Sequence, residues 1–120
     1  MSTTRDDLTD QIAELTELTK ALRRALLKYE RANMVLASLI QDNTPTIEAL
    51  KQAGAPSVRP ELTDALDQFA GARHRTRLAL LALAVAEGAS MAEAGRAFSV
   101  SRQLVSRMIK QHREDRQSQI

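Results

Sequence analysis

The sequence contains no cysteine and no tryptophan, and its only aromatic side chains are one tyrosine and two phenylalanines. Without cysteine, the chain has no disulfide, no thiolate nucleophile and no cysteine-ligated zinc or iron–sulfur site. The two histidines, His74 and His112, are far apart in the sequence and have too few partners for a metal centre or catalysis. There is also no glycine-rich phosphate loop. We therefore predict that the protein is not an enzyme and has no catalytic, metal or cofactor site.

Long apolar runs are missing as well. The longest, Leu78–Ala86, is far shorter than the ~20 residues that a membrane-spanning helix needs. The first ten residues are polar and acidic, unlike a secretory signal peptide. From these features we expect a cytoplasmic protein without a membrane partner, and no small-molecule effector is evident.

What the chain does contain favours helices. Its length of 120 residues supports one domain, or one small domain with an extension. Because aromatics are scarce, a core must be built from Leu, Ala, Val, Ile and Met, which favours packed helices over a sheet. All three prolines lie between residues 44 and 60. These features predict an all-α protein with a long helix in 1–43, a short helix and linker in 44–59, and a small helical bundle in 60–120.

Positive charge is concentrated near the carboxyl end. Residues 73–120 carry nine basic and four acidic side chains, whereas residues 1–72 have a net charge of −3. Segregation of this kind indicates a polyanionic partner for the C-terminal part of the chain.

The first segment has the spacing of a coiled coil. Between Thr4 and Asp42 there is no proline or glycine, and apolar residues recur with a period of seven. Asn33 at a core position, paired with the same residue of a second chain, favours a parallel two-stranded arrangement. The alternative is an amphipathic helix that folds against its own domain. The residues predicted to form the dimer contact are Leu8, Ile12, Leu15, Leu22, Leu26, Tyr29, Asn33 and Leu36.

Two further helices precede the C-terminal segment. Thr44 is predicted to cap a short helix that ends near Ala53. A loop is expected over Ala55–Arg59, and the next helix should run from Pro60 towards Glu87. Whether Gly71 divides this helix in two is left open by the sequence.

The stretch Ser90–Gln111 is the part of the sequence that indicates a function most clearly. Ser90 and Glu93 form a capping box, so a helix should begin at Met91. Ser101 is a good N-cap for a second helix, from Arg102 to about Arg113. A turn of about three residues between them requires a steep crossing. Small or apolar side chains lie where the shared core requires them, at Ala94, Phe98, Val100, Val105 and Met108, with Gly95 at the closest approach of the two helices.

This pattern resembles the helix-turn-helix of bacterial repressors, resolvases and the promoter-reading region of sigma factors. The resemblance covers about 20 residues fully, and Ser99 departs from it at a turn position where glycine is more common. It implies that Arg102–Lys110 belongs to a recognition helix in the DNA major groove.

The residue chemistry agrees with that implication. Arg102 and Arg107 can each present a fork to guanine O6 and N7, and Gln103 can pair with adenine. Ser106 can reach a base edge or a phosphate, whereas the more distal cations suit phosphates. The residues predicted to contact DNA are Arg96, Ser101, Arg102, Gln103, Ser106, Arg107, Lys110 and Arg113.

Together these features predict sequence-specific binding of double-stranded DNA by a homodimer that regulates transcription and is nucleoid-associated when bound. The alternative is a protein–protein adaptor whose long helix binds another chain, such as RNA polymerase or a sigma factor, with DNA contact secondary.

Overall fold

The computed structural model describes residues 5–117, and every regular element within them is a helix. The all-α prediction and the long N-terminal helix are thereby confirmed. The five helices of the described residues are α1 (Arg5–Gln41), α2 (Thr46–Gln52), α3 (Ala55–Ala86), α4 (Met91–Ala97) and α5 (Arg102–Gln117).

Helix α1 ends in a left-handed residue. Asn43 has a φ of 64°, and the N–H of Thr44 donates to the carbonyl of Leu39 at 3.0 Å. This pattern closes the helix and satisfies a terminal carbonyl. The prediction that Thr44 caps α2 was wrong, because α2 begins at Thr46 and Pro45, whose side chain has no acceptor, occupies the cap position. No side-chain cap hydrogen bond is formed at the start of α2.

Helix α3 begins earlier than the sequence suggests. The loop predicted over Ala55–Arg59 is helical, because the carbonyl of Gly54 accepts from Ser57 and Val58 and so starts the first turn. Pro56 lies in that turn, where its missing N–H costs nothing, and Pro60 lies inside the helix instead of at its start. Gly71 does not interrupt α3, so the region after Pro60 is one helix.

The chain forms two compact units, and both long helices contribute to each of them. The terminal unit comprises the chain up to Leu15 and from Ala72 onward, and the central unit is Thr16–Gly71. In the central unit, α1 and α3 run antiparallel, and Lys28 Nζ lies 2.9 Å from Glu61 Oε1. In the terminal unit, a cluster of buried side chains joins α3, α4 and α5: Leu78, Leu81, Ala94, Val105, Met108 and Ile109.

Candidate nucleic-acid interface

Helices α4 and α5 are each fixed at their start by a serine. The Ser90 hydroxyl accepts from the Glu93 N–H at 3.0 Å, and the Ser101 hydroxyl accepts from the Leu104 N–H at 3.1 Å. Both caps satisfy N–H groups that have no partner within their helix. The starts of both helices are therefore where the sequence predicts them.

The turn between them is tight. Ser99 has a φ of 55°, in the left-handed region that a non-glycine residue rarely adopts. The Val100 N–H donates to the Gly95 carbonyl at 2.8 Å, which folds the turn back onto α4. A Cβ atom on Gly95 would lie 2.6 Å from the Val100 carbonyl oxygen, closer than such contacts allow. Gly95 thus marks a close approach between α4 and the turn, and no larger residue fits there without a backbone shift.

The inner sides of α4 and α5 share one core. Val105 is fully buried, and Ala94 and Met108 are buried beside it, as predicted. Phe98 and Val100 are half-buried against this cluster. Ile109 was not predicted as a core residue, although it lies four positions after Val105 and therefore on the same helix face.

Phe98 also contacts a cation from α3. The Arg77 guanidinium lies 5.8 Å from the centroid of the Phe98 ring, within the range of a cation–π contact. Arg77 is half-buried, whereas Arg73 and Arg75 are exposed. Arg77 thereby supports the corner between α4 and α5.

The outer side of α5 is polar and exposed. Seen along the helix, Gln103, Ser106, Arg107 and Lys110 lie on the side away from Met108. Arg102 is exposed at the edge of that side, seven residues before the buried Ile109. Arg113 follows on the same face one turn later, and Arg96 is exposed on α4.

The cations of this surface make no ion pair within residues 5–117: Arg96, Arg102, Arg107, Lys110 and Arg113. An anion can therefore bind these side chains without breaking an ion pair of the described residues. We call the exposed set Arg102, Gln103, Ser106, Arg107, Lys110 and Arg113 the α5 outer face. Ser101 was also predicted to contact DNA. It is exposed, but its hydroxyl oxygen already accepts the hydrogen bond from the Leu104 N–H that caps α5.

The eight residues predicted for the dimer contact are not equally accessible. Leu8 and Leu22 are buried within the chain, and Leu15, Tyr29 and Leu36 are half-buried. Only Ile12, Leu26 and Asn33 are exposed. Leu8, Leu15, Leu22, Tyr29 and Leu36, which are spaced seven residues apart, therefore face the chain's own fold, whereas Ile12, Leu26 and Asn33 face outward. Leu8, Ile12 and Leu15 also belong to the terminal unit, and the other five belong to the central unit.

The terminal unit contains a polar groove of about 450 Å³ that the sequence did not reveal. It is lined by acidic side chains of α1, by Arg75 and Thr76 of α3, and by His112, Asp115 and Arg116 of α5. Burial is the main cause that lowers the pKa of His112 below its ordinary value of 6.5, and the Arg116 charge adds to it against the opposing effect of Asp115. Three helices that are distant in sequence form this groove, so no local pattern could have indicated it.

Within the described residues, no helix combines the length and hydropathy needed to cross a membrane. Comparison with known proteins adds no further constraint: no protein-family model, no curated protein and no solved structure matches this chain.

Proposed function

We propose that the protein binds double-stranded DNA sequence-specifically, with α4, the turn and α5 acting as a helix-turn-helix and α5 as the recognition helix. The observation that carries this proposal is the division of α5 into two sides. Its apolar side chains are buried against α3 and α4, whereas the arginines and the lysine of the α5 outer face are exposed and make no ion pair with any residue of the described part of the chain.

The corner between α4 and α5 supports the proposal. A recognition helix must project from its supporting helix so that its N-terminal part can enter the major groove. The left-handed Ser99, the space-limited Gly95 and the cap at Ser101 hold α5 at a fixed angle to the end of α4. This rigidity reduces the conformational entropy that is lost when the helix docks.

The side chains of the first two turns of α5 have the chemistry for reading bases. Arg102 and Arg107 each offer two parallel donors to a guanine, and Gln103 offers one donor and one acceptor to an adenine. Ser106 lies between them on the same face. A contact of this kind contributes about 1–3 kcal/mol of discrimination against the wrong base.

The later cations of α5, Lys110 and Arg113, suit phosphate oxygens, and Arg96 offers a further contact from α4. Each phosphate neutralised by the protein releases counterions, so affinity should fall steeply as salt rises. These contacts orient the protein on the duplex and supply affinity that does not depend on sequence.

A homodimer fits this mode of binding, because one recognition helix reads only a few base pairs. Two helices related by a two-fold axis read half-sites about 34–36 Å apart, one turn of DNA. Occupancy of such a site next to a promoter would regulate transcription, and the protein would then be nucleoid-associated.

The proposal is tested by selecting bound duplexes from a random pool and footprinting the enriched sequence. We expect a two-fold symmetric motif, and we expect Arg102→Ala and Arg107→Ala each to relax the preference at one position per half-site. Arg59→Ala is the matched control, because this arginine is exposed in the central unit and its loss changes the net charge equally. Enrichment of the same motif by all the variants would contradict the groove assignment.

A protein–protein adaptor is the second candidate, and the exposed apolar side chains of α1 favour it. Met34 is 68% exposed, and Leu26, Leu27 and Ile40 are each close to half exposed. If DNA binding disappears at moderate salt and the random pool never yields an enriched sequence, this second function accounts for the chain better.

A further inference from the structure

Helix α3 carries a run of basic residues in the terminal unit, and the run is divided between two sides of the helix. Arg75 lines the polar groove, whereas Arg73, His74 and Arg77 do not. Arg73 and Arg77 are four residues apart and follow one another along one face. Arg75 lies two residues from each of them, which is about 200° around an α-helix. We call Arg73, His74 and Arg77 the α3 ridge.

Two contacts place the α3 ridge beside α5. His74 Nε2 lies 3.2 Å from Gln111 Oε1, and the Arg77 guanidinium lies 5.8 Å from the centroid of the Phe98 ring. Phe98 precedes α5 and Gln111 belongs to its later half, so α3 and α5 run in opposite directions where they meet. Gln111 follows Arg107 by one turn of α5, and both are exposed. The ridge therefore borders the α5 outer face on the side of Arg107.

The α3 ridge adds positive charge to that side. Arg73 is exposed, Arg77 is half-buried, and neither makes an ion pair within residues 5–117. The acidic side chains of α5, Glu114 and Asp115, come after Gln111 towards the end of the helix, and Asp115 lines the groove. Together with Arg107, the ridge forms a cationic border that suits a polyanion.

The dimensions of packed helices and of DNA determine which part of a duplex the α3 ridge can reach. Leu78 and Leu81 of α3 share a buried cluster with Val105 and Met108 of α5, and the axes of helices packed in this way are about 8–10 Å apart. The major groove is about 12 Å wide, so its edges lie about 6 Å from the axis of a helix centred in it. When α5 occupies the groove, the adjoining helix therefore lies over one of the two bounding strands.

We propose that the α3 ridge binds phosphates of one of the DNA strands that bound the groove occupied by α5. Arg73 makes the contact, because its guanidinium is exposed, whereas the guanidinium of Arg77 is held against Phe98. This inference rests on the proposed function and adds a second helix to its interface. A backbone contact beside the recognition helix fixes the orientation of that helix on the duplex.

The salt dependence of affinity for the selected duplex tests the contact in the full chain. Arg73→Ala should reduce the slope of log affinity against log salt by about 1, the value of one phosphate contact, without a change in the preferred sequence. Arg73→Lys should keep the parental slope, because it keeps the charge. Arg75→Ala is the matched control: it removes the same charge from the same turn of α3, but from the side that lines the groove. It should also keep the parental slope.

Uncharged phosphates then locate the contact on the duplex. Each phosphate of the selected duplex is replaced in turn by a methylphosphonate, and the affinities of the parent and of Arg73→Ala are compared. We expect a phosphate in each half-site whose replacement weakens binding of the parent but not of Arg73→Ala. It should lie on a strand that bounds the groove at the position where Arg107→Ala relaxes the base preference.

Three results would each overturn the proposal: a parental slope for Arg73→Ala, an equal loss of slope for Arg75→Ala, or no phosphate whose effect depends on Arg73. Each of them leaves the proposed function intact as long as Arg102→Ala and Arg107→Ala still relax the base preference. A parent that enriches no sequence would overturn the proposed function and the role of the α3 ridge together.

Discussion

At the scale of single residues, Gly95 is a position where the fold leaves no room for a side chain. Its hydrogen atom faces the Val100 carbonyl at the turn, where a Cβ atom would be 2.6 Å away from the oxygen. We expect Gly95→Ala to lower the free energy of unfolding by about 1–3 kcal/mol, because backbone must move to admit the methyl group. Gly95→Leu should cost more.

Thermal denaturation followed by circular dichroism measures this effect. The control is Ala92→Leu, which adds volume to an exposed position of the same helix and should leave the midpoint nearly unchanged. A Gly95→Leu protein as stable as the parent would show that α4 and the turn do not approach closely.

His112 gives stability a pH dependence at the groove of the terminal unit. Because burial lowers its pKa, the unfolded chain binds a proton more readily than the folded chain does. Stability should therefore be greatest above the ordinary pKa of 6.5 and should fall as pH decreases towards the lowered value. Asp7, Asp10, Glu14, Arg75, Asp115 and Arg116 also line this groove.

The measurement is the thermal midpoint of the parent and of His112→Gln from about pH 7.5 to about pH 5.5. We expect the midpoint of the parent to decrease more than that of His112→Gln. Identical curves for the parent and His112→Gln would show that this side chain does not contribute.

At the scale of elements, α4 and α5 show how far local sequence determines structure. Their starts depend on serine caps whose partners are three residues away, and the short turn leaves few alternatives. The buried positions follow from helical periodicity, which placed Ala94, Val105 and Met108 correctly. Ser99 shows a left-handed backbone at the turn position where glycine is more common.

The start of α3 was less predictable for a physical reason. Two prolines four residues apart can each stand in the first turn of a helix, where the missing N–H costs nothing. The sequence favoured Pro60, but the carbonyl of Gly54 begins the helix one turn earlier and places Pro56 there instead. Gly54, with a φ of 80° and its N–H donating to the Lys51 carbonyl at 3.1 Å, links the end of α2 directly to this first turn.

If α5 is a recognition helix, its later cations should act on phosphates rather than on bases. We expect Lys110→Ala and Arg113→Ala to weaken binding by a similar factor for all duplexes, without a change in the preferred sequence. Each should also reduce the slope of log affinity against log salt by about 1, the value of one phosphate contact. Anisotropy titrations at several salt concentrations measure both quantities. A change in sequence preference for either variant would instead place that side chain on a base.

At the scale of the whole molecule, the sequence left the role of α1 open, and the structure explains why. A heptad pattern indicates which residues of a helix are apolar but not whether they pack against the same chain or another. Leu8 and Leu22 are buried within their own chain, whereas Ile12 and Leu26 at the alternate position are exposed. The packing of α3 against α1 determines which of these residues are buried. That packing depends on contacts between residues that are distant in sequence.

The central claim, that the α5 outer face reads bases in the major groove, is tested most directly by a double-mutant cycle. The affinity of the parent and of Arg107→Ala is measured on the selected duplex and on duplexes in which one guanine is replaced by 7-deazaguanine, which lacks the N7 acceptor. At one guanine per half-site, loss of the N7 atom should lower the affinity of the parent about tenfold, in line with the loss of a bidentate contact. Loss of the same N7 atom should lower the affinity of Arg107→Ala only slightly, because the contact is already missing. The contradicting result is additivity: the arginine substitution and the replacement of a guanine weaken binding independently at every guanine. If this holds for Arg107→Ala and also for Arg102→Ala, α5 does not lie in the groove.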